Sequence, residues 1–484
     1  MNVLIVESPS KAKSINKYLG NNYKVLASVG HVRDLTAKND AIDTENNFQM
    51  KWETSDRGKK VIKDIANAAQ NSENLYLATD PDREGEAIAW HIEELLREMP
   101  KLANLNIHRI TFNEITKNAV LEALKEPRKV NENLVNAYLA RRALDFLVGF
   151  NLSPVLWRKL PGSKSAGRVQ SVALKIITER EFEIEKFNPE EYWSLKAIFN
   201  KGQEKKFESR LIKFKDEKIE KLTIKTESEA SNFLEKIQNS TYKVKEIQKK
   251  ETKRNPYAAF TTSSMQIEAS RKLGFSANQT MRTAQKLYEG IEINGEPTGL
   301  ITYMRTDSVL MSKDAIEEIR GFVSEKLGNE YIPAEPRIYK SKAKNAQEAH
   351  ECIRPTNIRL SPEELKKYLN SDEYKLYEII WQRAVSSQMA SAIIDQVSVD
   401  ITNEQDIIVF RSNGSSIKFP GMLAVYQETK EEDKKEDEYD KSCLLPPLDQ
   451  GDPLNLIKAK KNQHFTLPPP RYTEASLVKK LEEL

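Results

Sequence analysis

Tyr303 and Arg305 are the residues of this chain best suited to phosphate chemistry. They lie two positions apart in the segment Leu300-Ile-Thr-Tyr-Met-Arg-Thr-Asp-Ser308. On an extended segment, positions two apart face the same way, so one phosphodiester could be attacked by the tyrosine and held by the arginine. Free tyrosine has a pKa near ~10 and needs a cationic neighbour and a proton acceptor. Taken alone, the segment is more typical of a strand tyrosine beside an exposed arginine.

A second candidate site is acidic. The segment Asp80-Pro-Asp-Arg-Glu-Gly-Glu86 follows a predicted buried strand, Leu75-Tyr-Leu-Ala-Thr79, and precedes an amphipathic helix. Asp80, Asp82 and Glu84 therefore lie at the carboxyl end of a strand, where open α/β sheets bind ligands. Three carboxylates on one side raise one another's pKa, and Mg2+ would relieve that repulsion. The alternative is a solvated acidic loop that caps the helix.

The beginning of the chain predicts a strand-to-helix junction. The apolar run Asn2-Val-Leu-Ile-Val6 is typical of a buried parallel strand, and Glu7 lies at its end. Ser8-Pro9 predicts a helix start, Gly20 predicts its end, and Lys11 falls in the first turn. Backbone N–H groups at such a junction favour anions, so Lys11 is expected to contact phosphate. The alternative for Glu7 is a carboxylate that only caps the helix.

The pattern changes along the chain. Residues 1 to about 125 alternate apolar strands and helices, which indicates an α/β domain. Residues from about 130 to 188 are helical and carry several basic residues, which predicts a surface that contacts phosphates. The alternative is a solvated helix face. A period of two at Trp193, Leu195, Ala197 and Phe199 predicts a half-buried strand. The same period returns at Val397-Ser-Val-Asp-Ile401, so one β-rich domain is interrupted by the helical segment that carries Tyr303.

Composition excludes several classes of protein. The chain has 484 residues and a formal net charge of +3, and only two cysteines, Cys352 and Cys443. Two cysteines cannot form a disulfide framework or a four-cysteine zinc site, which is typical of a reducing cytoplasm. No apolar run approaches the roughly 18 residues of a membrane span, and strand one leaves no room for a signal peptide. The charge run from Glu428 to Lys441 is expected to be a loop.

Six segments resemble the signatures of type IA DNA topoisomerases, in that family's order and spacing. They are Val6-Glu-Ser-Pro-Ser-Lys-Ala-Lys13, Asp80-Pro-Asp-Arg-Glu-Gly-Glu86, Ser165-Ala-Gly-Arg-Val-Gln-Ser171, Phe260-Thr-Thr-Ser-Ser-Met-Gln266, Ile301-Thr-Tyr-Met-Arg-Thr-Asp-Ser308 and Gln347-Glu-Ala-His-Glu-Cys-Ile-Arg-Pro355. Met304 and the form of the third segment are closer to the bacterial topoisomerase I branch than to topoisomerase III. The resemblance covers essentially the whole chain.

The resemblance implies a role for each motif residue. Tyr303 would form a 5′-phosphotyrosyl linkage, and Arg305 and Lys11 would stabilise charge on the phosphoryl oxygens. Glu7 would handle the proton of the leaving 3′ oxygen, and His350 would orient the tyrosine or a phosphate. The implied cofactor is Mg2+, and its expected ligands are Glu7, Asp80, Asp82 and Glu84.

The implied partner is single-stranded or negatively supercoiled DNA. The linkage conserves the bond energy, and the sequence has no Gly-x-x-x-x-Gly-Lys-Ser/Thr loop, so no ATP is expected. The expected DNA contacts are His31, Arg141, Arg142, Asp145, Arg158, Ser165, Ala166, Gly167, Arg168, Val169, Gln170 and Arg305.

The implied fold class is an α/β Toprim domain plus mainly helical and β-rich domains in a multidomain toroidal arch. The expected domains are a Toprim domain at 1–130, with a short excursion near 35–50 into the helical DNA-binding domain, the first part of that helical domain at 131–188, the halves of the β-rich domain at 189–262 and 390–442, the helical domain with Tyr303 at 263–389, and an incomplete second part of the DNA-binding domain at 443–484.

The expected function is Mg2+-dependent relaxation of negatively supercoiled DNA by a cytoplasmic, bacterial, nucleoid-associated monomer. A helix beginning near Thr473 has no C-terminal cap signal, so the chain is expected to be a fragment of such an enzyme. Two alternatives stay open. One is a Toprim-type nuclease or primase, and the other is a single-strand DNA-binding fragment without full activity.

Overall fold

The computed structural model describes residues 1–38, 40–340, 351–427 and 445–484. His350, Cys443 and the charge run at 428–441 lie outside the described residues. No helix in the described part of the chain is long and apolar enough to cross a membrane.

Helices and strands alternate through the first quarter of the chain and are then grouped into helical and β-rich regions. The strands are β1 (Asn2–Val6), β2 (Tyr23–Ala27), β3 (Arg33–Leu35), β4 (Ile42–Asp43), β5 (Gln49–Met50), β6 (Trp52–Thr54), β7 (Asn74–Leu77), β8 (Asn106–Arg109), β9 (Glu191–Asn200), β10 (Phe207–Phe214), β11 (Glu217–Lys218), β12 (Tyr242–Arg254), β13 (Ile291–Ile293), β14 (Glu296–Thr298), β15 (Ala392–Asn403), β16 (Ile408–Phe419) and β17 (Pro453–Phe465). The helices are α1 (Pro9–Leu19), α2 (Asp56–Ala69), α3 (Arg83–Arg97), α4 (Lys117–Ala123), α5 (Glu132–Lys159), α6 (Arg168–Glu185), α7 (Glu227–Gln238), α8 (Thr262–Leu273), α9 (Ala277–Glu289), α10 (Lys313–Leu327), α11 (Pro362–Leu365), α12 (Ser371–Ser387) and α13 (Glu474–Glu483).

The N-terminal domain is built on a four-stranded parallel sheet in the order β2-β1-β7-β8. Both faces of β1 are buried, as its apolar run predicts. Val3 and Ile5 pack in a core with α2 and α3, whereas Leu4 and Val6 pack with α1 and with residues of the helical region. The short segment near 35–50 packs on α5, where Ile42 shares a small core with Ala143.

The helical region, α8 to α12, shares a continuous core with the N-terminal domain. One buried cluster contains Ile115 of that domain together with Leu300, Tyr303 and Met304 of the segment 300–308. The backbone N–H of Tyr303 donates to the carbonyl of Asn113 (2.7 Å). Tyr303 is therefore placed at the contact between the two parts by packing and by the backbone.

The β-rich domain is an antiparallel sheet that closes on itself. Neighbouring strands follow the order β10-β16-β15-β12-β17-β9, and β9 pairs back with β10. Inside, the rings of Tyr242 and Phe410 pack against Phe199 with centroids 5.1 and 5.6 Å apart. Trp193, Leu195 and Phe199 are buried, in keeping with the period of two in their strand.

The sheet extends further along the chain than the expected boundary at 442. Strand β17 (Pro453–Phe465) pairs with β9 from Asn455 to Phe465, so it belongs to the β-rich domain. The sequence analysis placed it in the helical DNA-binding domain. The β-rich domain thus has four strands before the helical region, β9 to β12, and three after it, β15 to β17.

Candidate active site

A cavity of about 510 Å³ lies between the N-terminal domain and the helical region. Carboxylates line one side and helix α9 lines the other. The lining residues are Glu7, Asp80, Asp82, Glu84, Asn278, Met281, Arg282, Gln285, Lys286, Tyr303 and Arg305.

The acidic side of the cavity forms where two neighbouring parallel strands end. Glu7 follows β1, and the loop after β7 brings the backbone N–H of Asp80 to Glu7 Oε1 (2.9 Å). Asp82 caps α3, since its Oδ1 accepts from the N–H of Gly85 (2.8 Å). A side chain at Gly85 would meet the Asp80 carbonyl at 2.2 Å, so this close turn requires glycine.

Lys11 lies behind the acidic loop and does not line the cavity. Its side chain is only 1% exposed, and Nζ lies 2.5 Å from Asp80 Oδ1 and 3.8 Å from Glu7 Oε2. Burial lowers the pKa of Lys11, but the charges of Asp80 and Glu7 outweigh it and raise the pKa overall. In this conformation the ammonium pairs with Asp80, and the contact of Lys11 with a phosphate stays a prediction.

Glu7 is a buried carboxyl beside another carboxylate. Burial, followed by the charge of Asp80, raises the pKa of Glu7 to about 8, although Lys11 opposes the shift. These two effects favour the protonated form of Glu7 over the charged form in this conformation.

Tyr303 is almost completely enclosed, at 3% exposure. Its hydroxyl donates to Asp82 Oδ2 over 2.7 Å. Burial and the charges of Asp80 and Asp82 raise the pKa of Tyr303 far above its usual value, and Arg305 only partly opposes them. Arg305 is exposed and lines the same cavity. The nucleophile candidate is thus held as a neutral phenol next to a cation.

The expected metal ligands lie on one cavity, but each carboxylate has its own partner. Asp80 pairs with Lys11, Asp82 accepts from Tyr303, and Glu84 pairs with His31 at 3.2 Å. Within the described residues, no three histidine, cysteine, aspartate or glutamate side chains converge as a preformed metal site requires.

A second, smaller pocket of about 340 Å³ adjoins the first through Glu84. It gathers several of the expected DNA contacts with three neighbouring side chains. The lining residues are His31, Asp34, Glu84, Tyr138, Arg141, Arg142 and Asp145. The His31 ring stacks on Tyr138 with centroids 5.5 Å apart.

The arginines around this pocket are held by exposed carboxylates. Arg142 forms a bidentate pair with Asp34 (2.7 and 2.8 Å). Arg168, at the start of α6, pairs with Asp145 over 2.8 Å. Arg141 approaches Asp145 at 3.8 Å.

The remaining expected contacts are more scattered. The residues Ser165, Ala166, Gly167, Val169 and Gln170 lie at the N-terminus of α6, next to Arg168. Arg158 is exposed near the end of α5 and lines neither pocket. His350 lies outside the described residues.

The sequence analysis did not single out α9, which supplies the opposite wall of the cavity. Asn278, Met281, Arg282 and Gln285 recur at helical spacing and so lie on one face of that helix. This face was a signal that could have been found. Tyr288, at the end of α9, also reaches the site and is described below.

The chain matches two family models. A DNA topoisomerase model matches residues 129–484, and a Toprim domain model matches residues 2–115. Among curated relatives, DNA topoisomerase 1 of Rickettsia felis is 52% identical over 485 residues, and that of Xylella fastidiosa is 49% identical over 487 residues. These alignments cover 100% and 99% of this chain but 62% and 59% of the relatives.

A solved structure of full-length topoisomerase I from Thermotoga maritima superposes with a TM-score of 0.83 at 37% identity. The matched region covers 99% of this chain and 75% of the Thermotoga chain. This chain spans about three fifths of the length of the Rickettsia and Xylella relatives. The matches confirm the predicted Toprim domain joined to a topoisomerase core of helices and sheet. The chain belongs to the type IA DNA topoisomerase family.

Proposed function

We propose that this chain breaks and reseals one DNA strand through a 5′-phosphotyrosyl intermediate and so relaxes negatively supercoiled DNA without ATP. The observation that carries the proposal is the arrangement around Tyr303. Its hydroxyl lies on Asp82, while Arg305 and a protonated Glu7 line the same cavity. These are a nucleophile with a proton acceptor, a phosphate-binding cation and an acid for the leaving group.

In the proposed cleavage step, the Tyr303 oxygen forms a bond to phosphorus and the bond to the 3′ oxygen breaks. The phenol proton passes to Asp82 Oδ2, its hydrogen-bond acceptor, and Glu7 gives its proton to the 3′ oxygen. Arg305 neutralises the non-bridging oxygens. Lys11 would reach them only by exchanging Asp80 for phosphate. Religation is the reverse, with Glu7 taking the proton back.

The carboxylate set suits Mg2+, which binds proteins through one or two carboxylates and completes its shell with water and phosphate. Asp80, Asp82 and Glu84 would hold the ion, with Glu7 as a further candidate, because all four line one cavity. The ion would supply positive charge beside the phosphate. It would have to compete with the present partners of these carboxylates.

The neighbouring pocket suits the DNA backbone. Arg141, Arg142 and Arg168 would exchange their carboxylate partners for phosphates, and His31 lies between this pocket and the cavity. Phosphate contacts position DNA without reading its sequence. We further propose that the protein acts as a monomer on single-stranded or negatively supercoiled DNA in the bacterial cytoplasm.

The test is to trap the intermediate. The chain is incubated with a 3′-end-labelled single-stranded oligonucleotide and Mg2+ and then denatured, so that the label of the 5′-linked fragment stays on the protein. Wild-type protein is expected to carry label and Tyr303→Phe to carry none, with DNA affinity nearly unchanged. Cleavage without an adduct would favour the nuclease alternative. Binding without cleavage would favour the binding fragment, and an adduct on Tyr303→Phe would refute the assignment of the nucleophile.

A further inference from the structure

Tyr288 is a fully buried side chain that extends from the helical region into the acidic site. It lies in the last turn of α9, and its exposure is 0%. Its hydroxyl donates to Asp80 Oδ1 at 3.3 Å, 208 residues away in sequence. No charge pattern in α9 distinguishes this tyrosine from an ordinary core aromatic.

The hydroxyl of Tyr288 shares its acceptor with Lys11. Asp80 Oδ1 receives the Lys11 ammonium at 2.5 Å as well as this phenol. The Lys11 Nζ also lies 5.1 Å from the centre of the Tyr288 ring. A buried carboxylate needs such donors, because a charge removed from water is costly unless it is paired and hydrogen-bonded. Tyr288 thus helps to fix the Asp80 carboxylate in one orientation.

The ring of Tyr288 also contacts the nucleophile. The Tyr288 and Tyr303 rings meet edge to face, with centroids 5.3 Å apart and an angle of 63° between the planes. Tyr303 is therefore restrained at two points, by this ring and by the hydrogen bond from its hydroxyl to Asp82. Two restraints leave the phenol oxygen little freedom to rotate away from the cavity.

The contacts of Tyr288 with Asp80 and Lys11 cross the boundary between two parts of the molecule. Tyr288 and Tyr303 belong to the helical region, whereas Lys11 and Asp80 belong to the N-terminal domain. The contact between Tyr288 and Asp80 exists only while the two parts are packed together. Separation of the parts would therefore remove one donor from Asp80.

We propose that Tyr288 is a positioning residue of the proposed strand-cleavage reaction. It orients the Tyr303 ring, and it fixes Asp80 against Lys11 while the two parts are packed together. The inference rests on the proposed function for its kinetic consequence. Its structural consequence, the restraint on Tyr303, does not depend on activity.

Two variants separate the hydroxyl from the ring, and a third is the control. Tyr288→Phe removes only the donor to Asp80, and Tyr288→Leu also removes the ring that contacts Tyr303. Tyr377→Phe is a matched control, since Tyr377 is fully buried in the same core but donates to the Leu360 carbonyl (2.7 Å). Unfolding temperatures of all variants show whether any effect is merely lost stability.

The kinetic measurement is the single-turnover rate of adduct formation over a range of oligonucleotide concentrations. Tyr288→Phe is expected to lower the maximal rate about tenfold, the effect of one hydrogen bond to a charged group, with an unchanged half-saturating concentration. Tyr377→Phe is expected to leave both values unchanged. Equal maximal rates for Tyr288→Phe and wild type would overturn the role of the hydroxyl.

The second measurement needs no DNA. The protein is labelled with 3-fluorotyrosine, and the Tyr303 fluorine resonance is assigned by its loss in Tyr303→Phe. Tyr288→Leu is expected to shift that resonance, and Tyr377→Phe is expected to leave it in place. An unmoved resonance in Tyr288→Leu would overturn the restraint. If wild-type protein forms no adduct, the proposed function fails, and the fluorine spectrum still decides whether Tyr288 holds Tyr303.

Discussion

Two charged regions lie side by side in this molecule, and they hold their charges in different ways. At the acidic side of the cavity, Asp80 is 9% exposed, and its partner Lys11, behind the acidic loop, is 1% exposed. In the neighbouring pocket, Arg142 and its partner Asp34 are 36% and 61% exposed. Both regions pair cations with carboxylates at short distance, so distance alone does not distinguish them.

Burial gives the two regions different capacities. Breaking a buried pair leaves an uncompensated charge and typically costs about 3–5 kcal/mol. An exposed pair contributes at most about 1 kcal/mol, because water and salt replace the lost partner. The cavity can therefore fix groups for chemistry. The pocket can exchange carboxylates for phosphates at little cost, which suits a surface along which DNA moves.

The largest effect is expected from the two carboxylates of the cavity. Asp80→Asn with Asp82→Asn should abolish Mg2+-dependent religation of a preformed adduct, because the proposed metal ligands lose their charge. Cleavage should become slower as well, because Asp82 is the proposed acceptor of the Tyr303 proton. Asn is chosen because Asp82 also caps α3. The measurement is religated oligonucleotide as Mg2+ is titrated. Asp34→Asn, in the neighbouring pocket, is the control and should religate normally. Normal religation by the double variant would remove the metal role from both residues.

The next effect concerns stability at two lysines of one helix. Lys11→Met should lower the free energy of unfolding by about 3–5 kcal/mol, since Asp80 is left buried without its cation. Lys13→Met is the matched control, because Lys13 pairs with Glu292 at 3.5 Å and both side chains are exposed to solvent. Denaturant unfolding monitored by circular dichroism measures both. Adding Asp80→Asn to Lys11→Met should restore part of the lost free energy of unfolding. Equal losses for the two lysine variants would show that burial does not make the Lys11 pair more important for stability than the Lys13 pair.

A moderate effect is expected from pH. Glu7 has a raised pKa of about 8, so it is protonated below that value and loses its proton as the pH rises through it. If Glu7 gives its proton to the 3′ oxygen, the cleavage rate at saturating DNA should be flat near pH 7 and fall above pH 8. Glu7→Gln should cleave slowly, with no such fall. A wild-type rate that rises between pH 7 and 9 would exclude this role.

The smallest effect is expected beside the neighbouring pocket, where Arg168 pairs with the lining residue Asp145. Arg168→Ala should weaken single-stranded DNA binding by about 1 kcal/mol. It should also make the slope of log K against the logarithm of the salt concentration shallower, by the amount of about one phosphate contact. Arg97→Ala is the control, since Arg97 forms a surface pair with Glu93 away from both pockets. Fluorescence anisotropy at several salt concentrations measures the slope. An unchanged slope would show that Arg168 keeps Asp145 as its partner when DNA binds.

Local sequence rules predicted the elements that support the site. Ser8 caps α1 and Gly20 ends it, and the acidic loop lies between β7 and α3 as its flanking patterns indicate. Such rules work because each depends on a few adjacent residues. The nearness of Glu7 to Asp80 was implied only by the family resemblance, which grouped the two as expected metal ligands.

Contacts between distant segments were not predictable in the same way. Lys11 in a first helical turn suggested a phosphate, whereas the structure gives it Asp80, 69 residues away. Tyr288 has the spacing of a core residue, and its polar contact arises only when α9 packs on the N-terminal domain. Strand β17 was missed because its apolar positions do not alternate, and its buried partners on β9 lie some 260 residues earlier in the chain.

The β-rich domain also determines how the helical region is attached. The helical region leaves the sheet at Arg254 and returns at Ala392, and these two residues are register partners at the ends of β12 and β15. Tension on the helical region would pull both strands in the same direction, so their ladder of hydrogen bonds would bear no load that unzips it. The two paired strands therefore form a two-stranded connection, which can bend and twist as a unit while its hydrogen bonds stay intact.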